Sequence, residues 1–280
     1  NAWWFSGESP KFVYLNFRMN EVTAAVGMAQ LEKVDGIIID LRGNGGGSLQ
    51  EATLLTGLFI DRGPVVQIRE GDGKVSVSQD NDGVSYYDGP LTVVVDRYSA
   101  SASEIFAAAM QDYGRALIVG EHTFGKGTVQ QHRGLGRVYD MFEESLGSVQ
   151  FTIAKFYRID GGSTQHKGVV PDFSFPSIYP LDKIGEDTEP SALPFDLIKP
   201  SNYQSVANLT DVKANLLKMH NERMATSVDY KILQEDILES KKREGETSIT
   251  LNEAKLKKER DDLEAKSFER LNKLRASRGL

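Results

Sequence analysis

Two stretches of this 280-residue chain combine residue types that could do covalent chemistry. The first is SASASE, residues 99–104, set where the β-branched run Leu91 to Val95 gives way to the helix-patterned EIFAAAMQDYG. A serine at such a corner points its oxygen at backbone N–H groups that have no carbonyl partner. The positive end of a helix also favours a developing alkoxide or oxyanion, which suits nucleophilic attack. The same residues spell a capping box, Ser101 with Glu104 three positions on, in which the hydroxyl only satisfies one of those N–H groups. The second stretch is GKG, residues 125–127, between ALIVG and TVQQ. Glycines on both sides let the backbone pass close to another segment, so Lys126 is expected to be drawn into a cleft. Loss of water there disfavours an ammonium and leaves an amine able to take a serine proton; the alternative is a solvated loop lysine. With TVQQ extended, Lys126, Thr128 and Gln130 share a face, which puts Gln130 within reach of the amine.

SASASEIFAAAMQDYGRA followed by GEHTFGKGTVQQ resembles the core of the carboxyl-terminal processing peptidases, or tail-specific proteases, which use a serine and lysine dyad. DLRGNGGG at 40–47, KFYRIDGGSTQHKGVVPD at 155–172 and the charged helical tail extend the likeness, over most of the chain, to the periplasmic bacterial branch. The resemblance implies Ser101 as nucleophile, Lys126 as general base and Gln130 as the residue that orients it. It implies a crotonase-like α/β peptidase core with a mixed sheet, no cofactor and no metal. It further implies a periplasmic location and polypeptide substrates with accessible, apolar C-termini. The family also carries a PDZ domain before or around KFVYLNF, and no segment here is long enough to form one.

The fold must bring a third element to that pair. LRGNGGGSLQEATLLTGLF is a glycine-rich turn feeding a helix, with Ser48 and Glu51 as a second capping box. Under the peptidase reading, backbone N–H groups around Gly45, Gly46 and Gly47, with that of Ala102, cradle the oxyanion of a tetrahedral intermediate; which glycine donates stays open. Read as a dinucleotide fingerprint, the turn fails, because Ser48 replaces the last glycine of GxGxxG. Gly120, Gly125 and Lys126 match a phosphate-binding GxxxxGK. Gly127 then stands where Ser or Thr should ligate magnesium, and TVQQ favours a strand over the required helix. Asp80 and Asp82 do not open a calcium loop, since Leu91 occupies the place of its closing glutamate. His122, His132 and His166 are expected to be solvated loop histidines. Asp112, about three turns along the helix, is expected to fix the QDYGRA corner and not to join a triad.

Composition sets the outer bounds. A net charge of −7, with no basic stripe interleaved with aromatics in the first 200 residues, argues against nucleic acid. No apolar run is long enough to span a membrane and no N-terminal apolar segment reads as a signal peptide. Zero cysteines exclude disulfides and thiol catalysis. KFVYLNF, VDGIIID and the run before SASASE read as strands, VTAAVGMAQLEK as a helix, and PVVQIREGDGKVSVSQD as a hairpin. SVQFTIAKFYRIDGGSTQHKGVVPDFSF reads as two long strands around an IDGG turn. SIYPLDKIGEDTEPSALPFD is a linker or surface strap, and beyond Asp211 the chain is helical and close to neutral, with 16 basic and 14 acidic residues. The expected organisation is a peptidase core over 1–180 and a linker with a helical, charged C-terminal domain over 181–280. Those helices are expected to pack as an amphipathic appendage or to receive an adaptor or partner. Two other readings stay open: a peptidase fold that binds polypeptides without cleaving them, and a nucleotide-binding enzyme built on the glycine loops.

Overall fold

The structure, a computed structural model, describes residues 12–16, 34–135, 147–180 and 182–279. The helix expected over 22–33 lies outside them. Two compact units are present, Asn1–Phe175 with Leu181–Leu209, and Pro176–Pro180 with Thr210–Leu280.

In the first unit, short β-branched runs become the strands of a wholly parallel sheet, as befits segments apolar on both faces. These are β1 (Phe12–Asn16), β2 (Gly36–Asp40), β5 (Leu91–Val95), β6 (Leu117–Gly120) and β9 (Phe173–Ser174), in the order β1-β2-β5-β6-β9. Ile39, Val93, Val95 and Ile118 are wholly buried. A second, antiparallel sheet is ordered β4-β3-β8-β7, from β3 (Gly63–Glu70), β4 (Val75–Asp80), β7 (Thr128–Gly134) and β8 (Ser148–Tyr157). The α/β expectation holds, with parallel and antiparallel pairings segregated into separate sheets. Helix α1 (Leu49–Gly57) follows β2, and α2 (Ala102–Asp112) follows β5. Every residue of α2 from Ala102 to Met110 is buried. The alanines at 107–109 let neighbouring layers close onto its backbone, and Ile105, Phe106 and Met110 fill the core.

The register decides where the chemistry can sit. Asp40 lies beside Val94, and Val95 beside Gly120. The loops leaving the carboxyl ends of β2, β5 and β6 therefore emerge side by side, where open α/β sheets place their ligands. They are the glycine turn, the serine corner and the lysine loop.

One expectation needs correction. The second long strand after IDGG does not form. Arg158 N–H donates to Gly162 O at 2.7 Å to close the turn, and the following residues spend their hydrogen bonds on the lysine loop; only Phe173–Ser174 rejoins a sheet. Of the two readings of the proline-rich stretch, residues 182–196 take that of a strap within the first unit. Asp196 binds Lys155 and Arg69, each at 2.5 Å, and the N–H groups of Ile198, Ser201 and Val206 donate to the carbonyls of Gly161, Ile159 and Tyr113.

The second unit holds α3 (Thr210–Thr226), α4 (Val228–Glu244) and α5 (Glu253–Ser277), and none of the three buries a residue. In place of an apolar core, Arg270 on α5 pairs with Asp236 at 2.5 Å and Glu239 at 2.6 Å on α4. No helix among the described residues is long and apolar enough to cross a membrane.

Candidate active site

The serine corner separates three hydroxyls by what each one holds. Ser99 Oγ donates to Leu41 O at 2.8 Å, and Ser103 Oγ to Asn44 O at 3.1 Å. Ala100 N–H also donates to Asn44 O, at 3.0 Å. Ser99 and Ser103 thus bolt the glycine turn to the serine corner, and both are buried. Ser101, half-exposed between them, has φ 57° and ψ −114°. A helix cap takes extended angles, so this conformation, which costs on the order of 1–3 kcal/mol, is not one that capping alone requires. A serine on a strained strand-to-helix turn is the geometry of a nucleophile elbow.

Gly46 makes the closest approach from the turn. At its φ of +96°, an added Cβ would lie 2.6 Å from Ala100 O and 2.8 Å from both Ala102 N and Ser101 Cβ, so only glycine fits. The positions of Gly45 and Gly47 are open to at least 4 Å. Gly46 N–H is already donated to Asn44 Oδ1 at 3.0 Å. Ala102 N–H opens the helix and has no carbonyl one turn behind it.

Both glycines of GKG are used for close approach. An added Cβ on Gly125 would meet His166 C at 2.9 Å, and one on Gly127 would meet Gln165 N at 2.6 Å. Between them Lys126 is half-buried, with Nζ donating to Gln130 Oε1 at 3.4 Å. Gln150 Nε2 donates to the same oxygen at 2.6 Å. The expected shared face of Thr128 and Gln130 needs correction. The β7 register shifts between Val129 and Gln130, which interrupts strict alternation and leaves Thr128 buried and Gln130 exposed.

Glu104 joins the two loops. Its side chain is fully buried, and its carboxyl accepts from four donors. Oε2 takes Ser101 N–H at 2.8 Å and Lys126 N–H at 2.9 Å; Oε1 takes Thr123 Oγ1 at 2.6 Å and Gly125 N–H at 2.8 Å. One oxygen therefore holds the backbones of both residues expected to react. Burial pushes the carboxyl up to about 7, against the pull of those four donors. The sequence shows Glu104 only as the acid of a capping box. The available signal was its place at the head of IFAAAM, since an acid on a fully buried helix must find donors in other segments.

Other ionisable groups fall elsewhere. Asp112 ion-pairs with Arg158 at the far end of α2, roughly 16 Å along the axis from Ser101 at about 1.5 Å per residue. Burial pushes the Asp112 carboxyl up and Arg158 opposes it. His122 is half-buried: its Nδ1 lies 2.8 Å from Arg97 Nη1, and burial followed by that cation holds the imidazole below its ordinary range. His132 is exposed on β7. His166 has φ 65° and a buried Nε2 with no hydrogen-bond partner among the described residues. The described residues include no group of three His, Cys, Asp or Glu suited to a metal. The GxxxxGK match leads into strand β7, so the helix N-terminus that a phosphate-binding loop needs does not follow it.

Residues 15–175 match the model of peptidase family S41, and residues 179–280 match that of the C-terminal domain of tail specific protease. The chain is 46% identical over 244 residues to the tail-specific protease of Haemophilus influenzae, covering 86% of this chain and 35% of that protein. It therefore spans about a third of the length of that curated relative. Among solved structures, it is similar to the photosystem II D1 C-terminal processing protease, at a TM-score of 0.50 and 31% identity, over 65% of this chain and 48% of that one. With one family model matched across the parallel sheet and its three loops, and a second behind it, the chain belongs to peptidase family S41.

Proposed function

We propose that this chain carries the catalytic body of a tail-specific serine protease that hydrolyses peptide bonds through an acyl-enzyme. The observation that carries the reading is the division of labour among the three serines. Two are spent as bolts, and the third is held in a strained turn tied through one carboxyl oxygen to the backbone of Lys126. Ser101 Oγ attacks the scissile carbonyl carbon, and Lys126 Nζ, oriented by Gln130, takes the hydroxyl proton and passes it to the leaving amine. The tetrahedral oxyanion is received by Ala102 N–H and the Gly45–Gly47 corner, and water then hydrolyses the ester. The chain needs no cofactor for these steps. Substrates are polypeptides with accessible, apolar C-termini, the working compartment is the bacterial periplasm, and the helical region beyond residue 210 is a place for an adaptor.

A fluorophosphonate probe tests this. Labelling should map to Ser101 by peptide mass spectrometry and disappear in Ser101→Ala and in Lys126→Ala. Labelling at Ser103, or an undiminished rate in Lys126→Ala, would overturn the dyad.

A further inference from the structure

Residues 184–187 of the strap grip the loop that carries Lys126. Arg97 Nε donates to Ile184 O, and Arg97 Nη2 pairs with Asp187 Oδ1 at 2.7 Å. Arg97 Nη1 donates to Thr123 O at 2.7 Å and lies against His122 Nδ1. The guanidinium is 3% exposed and sits four residues before Ser101, so one buried cation joins the serine corner, the loop after β6 and the strap. Glu186 N–H donates to Phe124 O at 2.9 Å. On the other side of the lysine, the Gln165 amide accepts from Gly127 N–H on its oxygen at 2.8 Å and donates a hydrogen bond from Nε2 to Glu186 Oε1 at 3.1 Å. Gly185, at φ +136°, is shaped to the contact: an added Cβ would lie 2.6 Å from Arg97 Cζ.

We infer that residues 184–187 are a positioning clasp for the general-base loop, with Asp187 and Glu186 as positioning residues that act through Arg97 and Gln165. The segment immediately before Gly125–Lys126 is held at Phe124 by the strap directly and at Thr123 through Arg97, and the segment after it is held at Gly127 through Gln165. On this reading residues 184–187 help position the catalytic base although they lie outside the stretch that matches the peptidase family. Releasing the clasp frees the loop to sample positions from which the amine does not reach the hydroxyl, and small displacements of a catalytic base are costly in rate. The inference rests on the dyad proposed above.

The test compares the rate constant and the final extent of fluorophosphonate labelling in the full-length protein carrying Asp187→Ala, Asp187→Glu or Glu186→Ala. The clasp predicts that Asp187→Ala lowers the rate constant per site by on the order of tenfold while the labelled fraction reaches the wild-type level, and that Asp187→Glu restores part of the rate. Glu186→Ala should show a smaller loss of the same kind. A merely structural role would lower the labelled fraction and the thermal midpoint and leave the rate per surviving site alone, and that result overturns the clasp. Should Asp187→Ala not fold, Glu186→Ala decides alone: a slower rate supports the clasp and a wild-type rate overturns it. Wild-type labelling away from Ser101, or labelling indifferent to Lys126→Ala, would mark failure of the dyad itself, and the clasp falls with it.

Discussion

Replacing Glu104 by glutamine keeps the volume of a buried side chain and removes half of its accepting capacity. In whichever orientation the amide settles, its NH2 must face a pair of donors. Placed at the Oε2 position it opposes Ser101 N–H and Lys126 N–H; at Oε1 it opposes Gly125 N–H and the Thr123 hydroxyl, which already accepts from Val169 N–H at 2.6 Å. At least one buried N–H is orphaned, at about 1–3 kcal/mol, and the loops must separate to relieve it. Because that carboxylate ties Ser101 to Lys126, the separation should lower the acylation rate by about 10- to 100-fold, equivalent to about 1.4–2.7 kcal/mol in the barrier. A second signature follows from linkage. Burial raises this carboxyl from 4.5 to about 7, so between those pH values the unfolded chain has released a proton that the folded chain retains. Its contribution to stability is present in full below pH 4.5 and declines as pH rises through 7, by about 3 kcal/mol in all. Glutamine has no proton to release and should flatten that slope. Denaturant midpoints at pH 5 and pH 8, set beside labelling rates at pH 8, read both effects. A glutamine variant that labels at the wild-type rate and keeps the wild-type pH slope would refute the assignment of Glu104 as the tie between the loops.

Gly46→Ala places a methyl 2.6 Å from Ala100 O in a left-handed turn, so it should abolish labelling, whereas Gly45→Ala meets open space and should keep the wild-type thermal midpoint. Lys126→Arg keeps a long cation that cannot be deprotonated in the working range and should be as inactive toward the probe as Lys126→Ala; Gln130→Ala, which removes a contact of 3.4 Å, should be milder. Arg115 is buried, donates to the carbonyls of Phe59, Gly89 and Tyr87 and lies over the Phe59 and Tyr87 rings. Arg115→Met should therefore leave three carbonyls short of a donor and cost about 3 kcal/mol or more in urea unfolding, with the probe rate per folded site unchanged.

Local chemistry alone was enough to place β1, β2 and β5 of the parallel sheet, the two turns that need glycine and the two helix starts. The reason is that β-branched runs, left-handed turns and capping residues act within a few positions of themselves. GIIID and LTVVV are strands buried chiefly through Ile and Val side chains that are apolar on both faces, and Gly125 and Gly127 are glycines because a backbone passes beside them. The serine corner and the lysine loop were legible in the same way, since each is a short signature on a strand-to-helix or strand-to-strand turn. Tertiary structure decided everything that depends on partners far along the chain. The hydroxyls of Ser99 and Ser103 are occupied by carbonyls some 58 and 59 residues away, which sequence spacing does not reveal. Glu104 looks like a cap acid until the loop after β6 folds back to bring Thr123, Gly125 and Lys126 onto it. His122 reads as a solvated histidine until Arg97 arrives beside it, and the acidic proline-rich stretch reads equally as linker or strap until Asp187 meets that same arginine. Hydrogen bonds and ion pairs are short-ranged in space but indifferent to chain separation, so the residues proposed to react could be singled out in the sequence, while the groups that hold them in register were set only when the sheet closed.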